Sequence, residues 1–363
     1  MAEQQAYPRR HDIDWLRIGA LFLLIIYHIS ISFQSWGYLI GFVQSPDSLP
    51  QIWTAMEMLN VWRIPILFVI GGMGVWFAMR RRDGGELIRE RATRLLIPLA
   101  VGYVLLCPLT VISTQLYYWR DLSYEPNVGH LWFLVNLFAY VVLLLPILLY
   151  LKRKPQNLWF RFTAALGKFP PALILLAAPL ALEAWWMQPE TYALFAMTWH
   201  GFAFGAICFF FGFTFAAMGE RFWKSLEWMR FPFLLAAAGL YAIRVIFREG
   251  EAWEEENPVH WRSAIETWCW ILGWLGFASR HFRVPSARLT YLNQAVFPVY
   301  ILHLPVQSAV ANYILPTMFP PSLKLALVIL FTLVICFALY EVVIRRVFFL
   351  RPMFGMKIQP HKT

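Results

Sequence analysis

The chain has 363 residues, 60% apolar and 14% charged, and a formal charge of +10. Soluble domains run at about half apolar and a quarter charged, so polar residues here are too few to cover a soluble globule. An aromatic share of 18% excludes a disordered chain.

Apolar runs long enough to cross a bilayer recur along the whole chain, at about 15–36, 58–79, 95–115, 130–150, 171–187, 199–218, 231–247, 262–279, 291–313 and 323–344. Backbone groups in lipid must bond within their own segment, so these runs are expected to be helices. The expected fold is all-α: a polytopic membrane protein of about ten transmembrane helices. The fifth run is short and contains Pro179 and Glu183. With the N-terminus inside, the inner segments hold 24 Lys and Arg against four in the outer segments and span edges. That bias places both termini in the cytoplasm and accounts for the net charge without nucleic acid. The segment 249–256 is acidic and falls outside, where a solvated loop is the expected reading. The first apolar run has no small-residue cleavage site after it and reads as a retained span. No repeat or appended soluble domain is visible. One membrane-embedded domain over 1–363, with a core of about 12–346 and a short basic tail at 347–363, is expected. Cys107, Cys208, Cys269 and Cys336 all lie in apolar runs without CxxC spacing and read as packing residues; no metal site is expected.

Ionisable residues inside spans are costly and usually functional. The first span carries Asp14, Arg17 and His28. Eleven helical steps bring His28 to within roughly 20° of Arg17 and about 16 Å further along the axis, so the three form one polar stripe. Arg17 reads either as an inner-surface anchor or as part of a site, and His28 either as a helix-bonded histidine or as a site residue. Arg63 lies in the second span and His130 opens the fourth, next to Trp132. In the ninth, Tyr300 precedes His303, whose depth of about 18 Å matches that of His28. Two histidines at one depth on different helices point to a shared cavity. Glu57, Glu183, His200, Arg244 and Glu266 fall in outer span portions, either lining an outward-opening cavity or forming ion pairs between helices. On the inner side Arg91 and Arg94 share a helical face in a basic loop, a topology signal that is also suited to binding phosphate.

In order along the chain stand Ile13-Asp14-Trp15-Leu16-Arg17 with His28, Arg63-Ile64-Pro65 leading to Gly71-Gly72, and Arg91-x-x-Arg94 running into Leu95-Leu96-Ile97-Pro98. His130-Leu131-Trp132-Phe133-Leu134 and the stretch Tyr300 to Pro305 follow. Together these segments resemble the acyltransferase-3 family of integral membrane proteins. Two positions depart from the common pattern: Ile18-Gly19 where Arg-Gly is frequent, and Gly71-Gly72 where Ser-Gly is common. The resemblance implies a ten-helix core that moves an acyl group, acetyl or succinyl, from cytoplasmic acyl-CoA to a hydroxyl of an extracytoplasmic or lipid-linked glycan. It makes the glucan-modifying, succinyl-transferring branch plausible, and it implies the inner membrane of a bacterium.

On that reading Arg91 and Arg94 take the CoA phosphates, and Arg17, with Asp14 also on the donor side, takes donor phosphate or pantetheine polar groups nearer the membrane. His28 acts on the acceptor hydroxyl as general base or accepts the acyl group itself. Tyr300, His303, His130, Trp132 and Arg63 form the acceptor side. The partners are acyl-CoA as cosubstrate, the glycan and membrane lipids, with no permanently bound cofactor; the residues leave the oligomeric state open. A transporter or flippase for a polar or glycan substrate is the alternative from another class. A phosphotransferase would want a metal-binding carboxylate cluster, which the sequence does not display.

Overall fold

The computed structural model describes residues 9–247 and 260–357. Its helices are α1 (His11–Ile31), α2 (Gln51–Met79), α3 (Gly84–Val101), α4 (Cys107–Tyr117), α5 (Trp132–Arg153), α6 (Leu158–Leu166), α7 (Ala178–Met187), α8 (Trp199–Ala217), α9 (Glu220–Ile246), α10 (His260–His281), α11 (Ala287–Ile314) and α12 (Pro321–Ala338). A π-helical turn, Gly102–Leu106, joins α3 to α4, and another, Leu339–Ile344, extends α12. No strand occurs among the described residues. The acidic segment 249–256 lies outside them.

Nine of these segments are long and apolar enough to span a membrane, by length and composition. They cover nine of the ten expected spans. The remaining one, the eighth run at 262–279, corresponds to α10, a 22-residue helix. Its polar residues lower its mean hydropathy below that of the others. The physical reason is its surroundings: α10 packs along α9 and against α7 and α2, and Ser263, Glu266 and Thr267 are buried in those contacts. A helix enclosed by protein does not need a lipid-compatible surface on every face.

Among the nine candidate spans the most enclosed is α2, which contacts α1, α8 and α10. Its closest neighbour is α8, and the approach depends on two missing side chains. A Cβ on Gly72 would stand 1.8 Å from the Phe209 carbonyl oxygen, and one on Gly212 would stand 1.8 Å from that of Val69. Small residues let membrane helices meet backbone to backbone. Here they account for the glycine at position 72.

Prolines inside helices leave carbonyls without their usual partner four residues on. Pro65 does this to Val61, whose oxygen accepts from Thr267 Oγ at 3.0 Å, stitching α2 to α10. Pro98 lies four residues after Arg94. Gly355, at φ +68°, lies so near the Arg94 carbonyl that a Cβ there would approach it to 3.1 Å. Gly355 follows a short 3-10 helix, Phe348–Phe354, packed against α3. The expected basic tail is thus docked over these residues, while 358–363 lie outside the described part.

The four cysteines are buried and free. The outer polar residues resolve into pairs. Arg244 holds Glu266 through two contacts, 2.9 and 3.1 Å, with Glu57 at 3.8 Å. His200 Nδ1 meets the Glu183 carboxylate at 3.0 Å. Of the two readings for these residues, the structure supports helix-to-helix ion pairing.

Candidate active site

The late turns of α1, the middle of α11 and the entry to α5 meet at a cluster of three histidines. Nδ1 of His28 lies 2.9 Å from Nε2 of His303, with the ring planes 4° apart. The rings of His130 and His303 are 4.8 Å apart and nearly perpendicular. His303 is fully buried and His130 nearly so, whereas His28 is half-buried.

The hydrogen bonds assign the protons. Nδ1 of His303 faces the Tyr300 carbonyl at 2.5 Å, and a carbonyl only accepts, so Nδ1 donates. In a neutral imidazole the other nitrogen is then an acceptor. Nε2 of His303 accepts from Nδ1–H of His28, which leaves Nε2 of His28 with its lone pair. That atom has no protein partner among the described residues, and it is not among the polar atoms sealed from the surface. The arrangement is that of a base oriented by a third group.

His130 is fixed by another proline. Pro305 lacks the N–H that would bond the Ile301 carbonyl, and Nε2 of His130 lies 3.2 Å from that oxygen, donating to it. The Tyr300 hydroxyl donates to the His130 carbonyl at 2.6 Å. Tyr300 is therefore spent on holding α5 against α11. Trp132, the first residue of α5, is buried and packs edge-on to Phe68 of α2.

Arg63 lies beside this cluster. It is 3% exposed, stacks over the Tyr27 ring at 3.4 Å and donates from Nη2 to Asn60 Oδ1 at 2.9 Å. Its charge reaches both His28 and His303.

At the other end of α1, Asp14 is buried and binds Arg17 Nη2 at 2.6 Å and Arg9 at 2.9 Å. Arg17, Arg91 and Arg94 are near enough that their charges interact. The two arginines on α3 are already engaged. Arg91 donates to the Gly74 carbonyl at 3.1 Å and pairs with Glu90, which also holds Arg94 at 3.1 Å. Arg94 is half-exposed and Arg91 mostly covered. The expected residues thus fall into two groups: a basic cluster of Arg17, Arg91 and Arg94, with Asp14 bound to Arg17, and a histidine cluster with Tyr300, Trp132 and Arg63.

Sequence reasoning passed over Gln307, Tyr27 and Asn60. The turn after α1 tightens to three-residue bonds, and Gln307 Nε2 donates to the His28 carbonyl at 2.9 Å, so it anchors the turn that bears His28. The signal was available: Gln307 stands one helical turn after His303, and Asn60 one turn before Arg63. Both are uncharged, and the search for ionisable residues missed them.

The sequence profile of the acyltransferase-3 family, an acyltransferase domain, matches residues 10–341. The chain is 20% identical to proteins named glucans biosynthesis protein C from Escherichia coli O1:K1 / APEC, from Escherichia coli O45:K1 (strain S88 / ExPEC) and from Escherichia coli (strain UTI89 / UPEC). In each case the similarity covers 93% of this chain and 92% of the relative. The family membership favours acyl transfer over the transport alternative. With the profile running from the start of α1 through α12, this chain belongs to the acyltransferase-3 family and is a multi-pass membrane acyltransferase.

Proposed function

We propose that this protein transfers an acetyl or succinyl group from cytoplasmic acyl-CoA to a hydroxyl of an extracytoplasmic or lipid-linked glycan, in the inner membrane of a bacterium. The observation that carries the reading is the free lone pair on Nε2 of His28, oriented by His303. His28 takes the proton of the acceptor hydroxyl while that oxygen attacks the thioester carbonyl carbon. The new C–O bond forms, the C–S bond breaks, and the departing sulfur takes the proton back from His28. His303 acts as a positioning residue: its Nε2 keeps the His28 proton on Nδ1. The basic cluster supports the donor assignment, because CoA phosphates are anionic and arginine forks match phosphate geometry. The 20% identical relatives bear the name glucans biosynthesis protein C, which supports a glucan as the acceptor class.

The test is a titration of purified protein in nanodiscs with acetyl-CoA, succinyl-CoA and free CoA. Saturable binding, weakened in the Arg91→Ala/Arg94→Ala variant, is the expected result. Folded protein that binds no CoA species overturns the donor assignment.

A further inference from the structure

Among the described residues, buried Lys and Arg side chains have carboxylate partners, with one exception beside the histidines. Arg244 has Glu266, and buried Lys324 has Asp47 at 2.7 Å. Arg63 has no carboxylate partner among the described residues. One N–H is used on Asn60 and the guanidinium face rests on Tyr27. Nε and Nη1 are sealed from the surface with no hydrogen-bond partner. An unpaired buried charge is among the most costly things a protein can hold. A helix bundle that neutralises its other deep cations has a physical reason to leave this one open.

The surroundings indicate what the open N–H groups are for. Tyr27 is the chain neighbour of His28, and their rings lie 5.9 Å apart. The guanidinium thus rests on the ring that neighbours His28, and its charge acts on both His28 and His303. Attack on a thioester moves the carbonyl π pair onto oxygen, and a fixed donor in a water-poor site stabilises that charge more than water would.

We propose that Arg63 is the oxyanion-stabilising catalytic residue of the acyl transfer, donating from Nε and Nη1 to the thioester carbonyl oxygen. This rests on the reading of His28 as the base. As the acceptor oxygen bonds to the carbonyl carbon and its proton passes to His28, negative charge collects on the carbonyl oxygen and is held by Arg63. Collapse returns the pair to the C=O bond and expels the thiolate, which takes the proton from His28. No further reactant is needed.

The experiment compares wild type, Arg63→Gln, Arg63→Lys and Arg63→Met in nanodiscs, measuring kcat, donor KM and Tm with acetyl-CoA and succinyl-CoA. Arg63→Gln is expected to lose about 10²–10³-fold in kcat with donor KM within about threefold, and Arg63→Lys to recover part of the loss. Arg63→Met is expected to unfold at a higher temperature than wild type, because it removes an uncompensated buried charge. A merely structural arginine would do the opposite, and a lowered Tm in Arg63→Met overturns the proposal. So does a kcat for Arg63→Gln within about threefold of wild type, or a loss confined to KM. If wild type consumes no acyl-CoA, the donor assignment fails by itself. The direction of the Tm shift still decides whether Arg63 is held in place for a ligand.

Discussion

Nδ1 of His28 lies 2.9 Å from Nε2 of His303, and the second histidine is already committed through its own Nδ1 to the Tyr300 carbonyl. A neutral ring therefore occupies the place that a carboxylate holds in a serine-protease triad. Replacing His28 with Ala should abolish transfer while the protein stays folded in the membrane. Replacing His303 with Phe keeps the flat ring but removes the acceptor, and should lower kcat by about 10²-fold with little change in donor KM. His303→Gln, whose amide oxygen can accept, should retain more activity than Phe. Steady-state kinetics on the three variants checks the order, and equal activity of Phe and wild type would remove His303 from the mechanism.

The two α3 arginines should separate in their effects. Arg94 is half-exposed and among the described residues bonds Glu90 alone, whereas Arg91 also ties α3 to the Gly74 carbonyl of α2. Arg94→Ala should raise donor KM by about tenfold, the equivalent of about 1.4 kcal/mol, without lowering Tm. Arg91→Ala should raise KM and lower Tm together. Paired kinetic and thermal measurements read both, and a pure stability loss in both variants would leave the basic cluster as a topology signal.

The α2–α8 contact predicts a packing defect remote from the chemistry. Gly72→Ala or Gly212→Ala brings a methyl group against a backbone oxygen that cannot turn aside. Each should destabilise by about 1–3 kcal/mol or more, seen as a lowered Tm in detergent. A normal Tm in both would mean the two helices are further apart than described.

Glu266→Gln leaves Arg244 in place and removes the charge that it faces at 2.9 Å. Breaking a buried pair costs about 3–5 kcal/mol. The variant should show reduced thermal stability, while the fraction that remains folded turns over substrate at the wild-type rate. A specific loss of kcat in folded protein would move this pair from the scaffold to the site.

Much of this arrangement is legible in the sequence because depth in a membrane can be counted. Helical rise alone puts His28 and His303 at one level, and their 2.9 Å contact follows that arithmetic. The Asp14–Arg17 pair follows from three-residue spacing. What depth cannot give is azimuth: which of the outer charged residues face one another depends on how each helix is rotated in the bundle. For that reason Arg244 with Glu266, and His200 with Glu183, stayed open between cavity and ion pair until the packing was in view. The family resemblance puts Arg63 on the acceptor side and says nothing of its partners. Its unpaired N–H groups emerge only when every neighbour is known. Length marks the eighth run as a span, but the polar face of α10 makes sense only with α9, α7 and α2 around it.

Pro305 gives this site an unusual dependence. The contact between His130 and α11 uses a carbonyl that an ordinary residue at position 305 would occupy with its own N–H. Pro305→Ala would make α11 a better helix and, by closing that bond, compete His130 away from its anchor. Local regularity and a well-held site are in conflict at this position, so a search for stabilising substitutions that scores helices one at a time would select the change that loosens the histidine cluster.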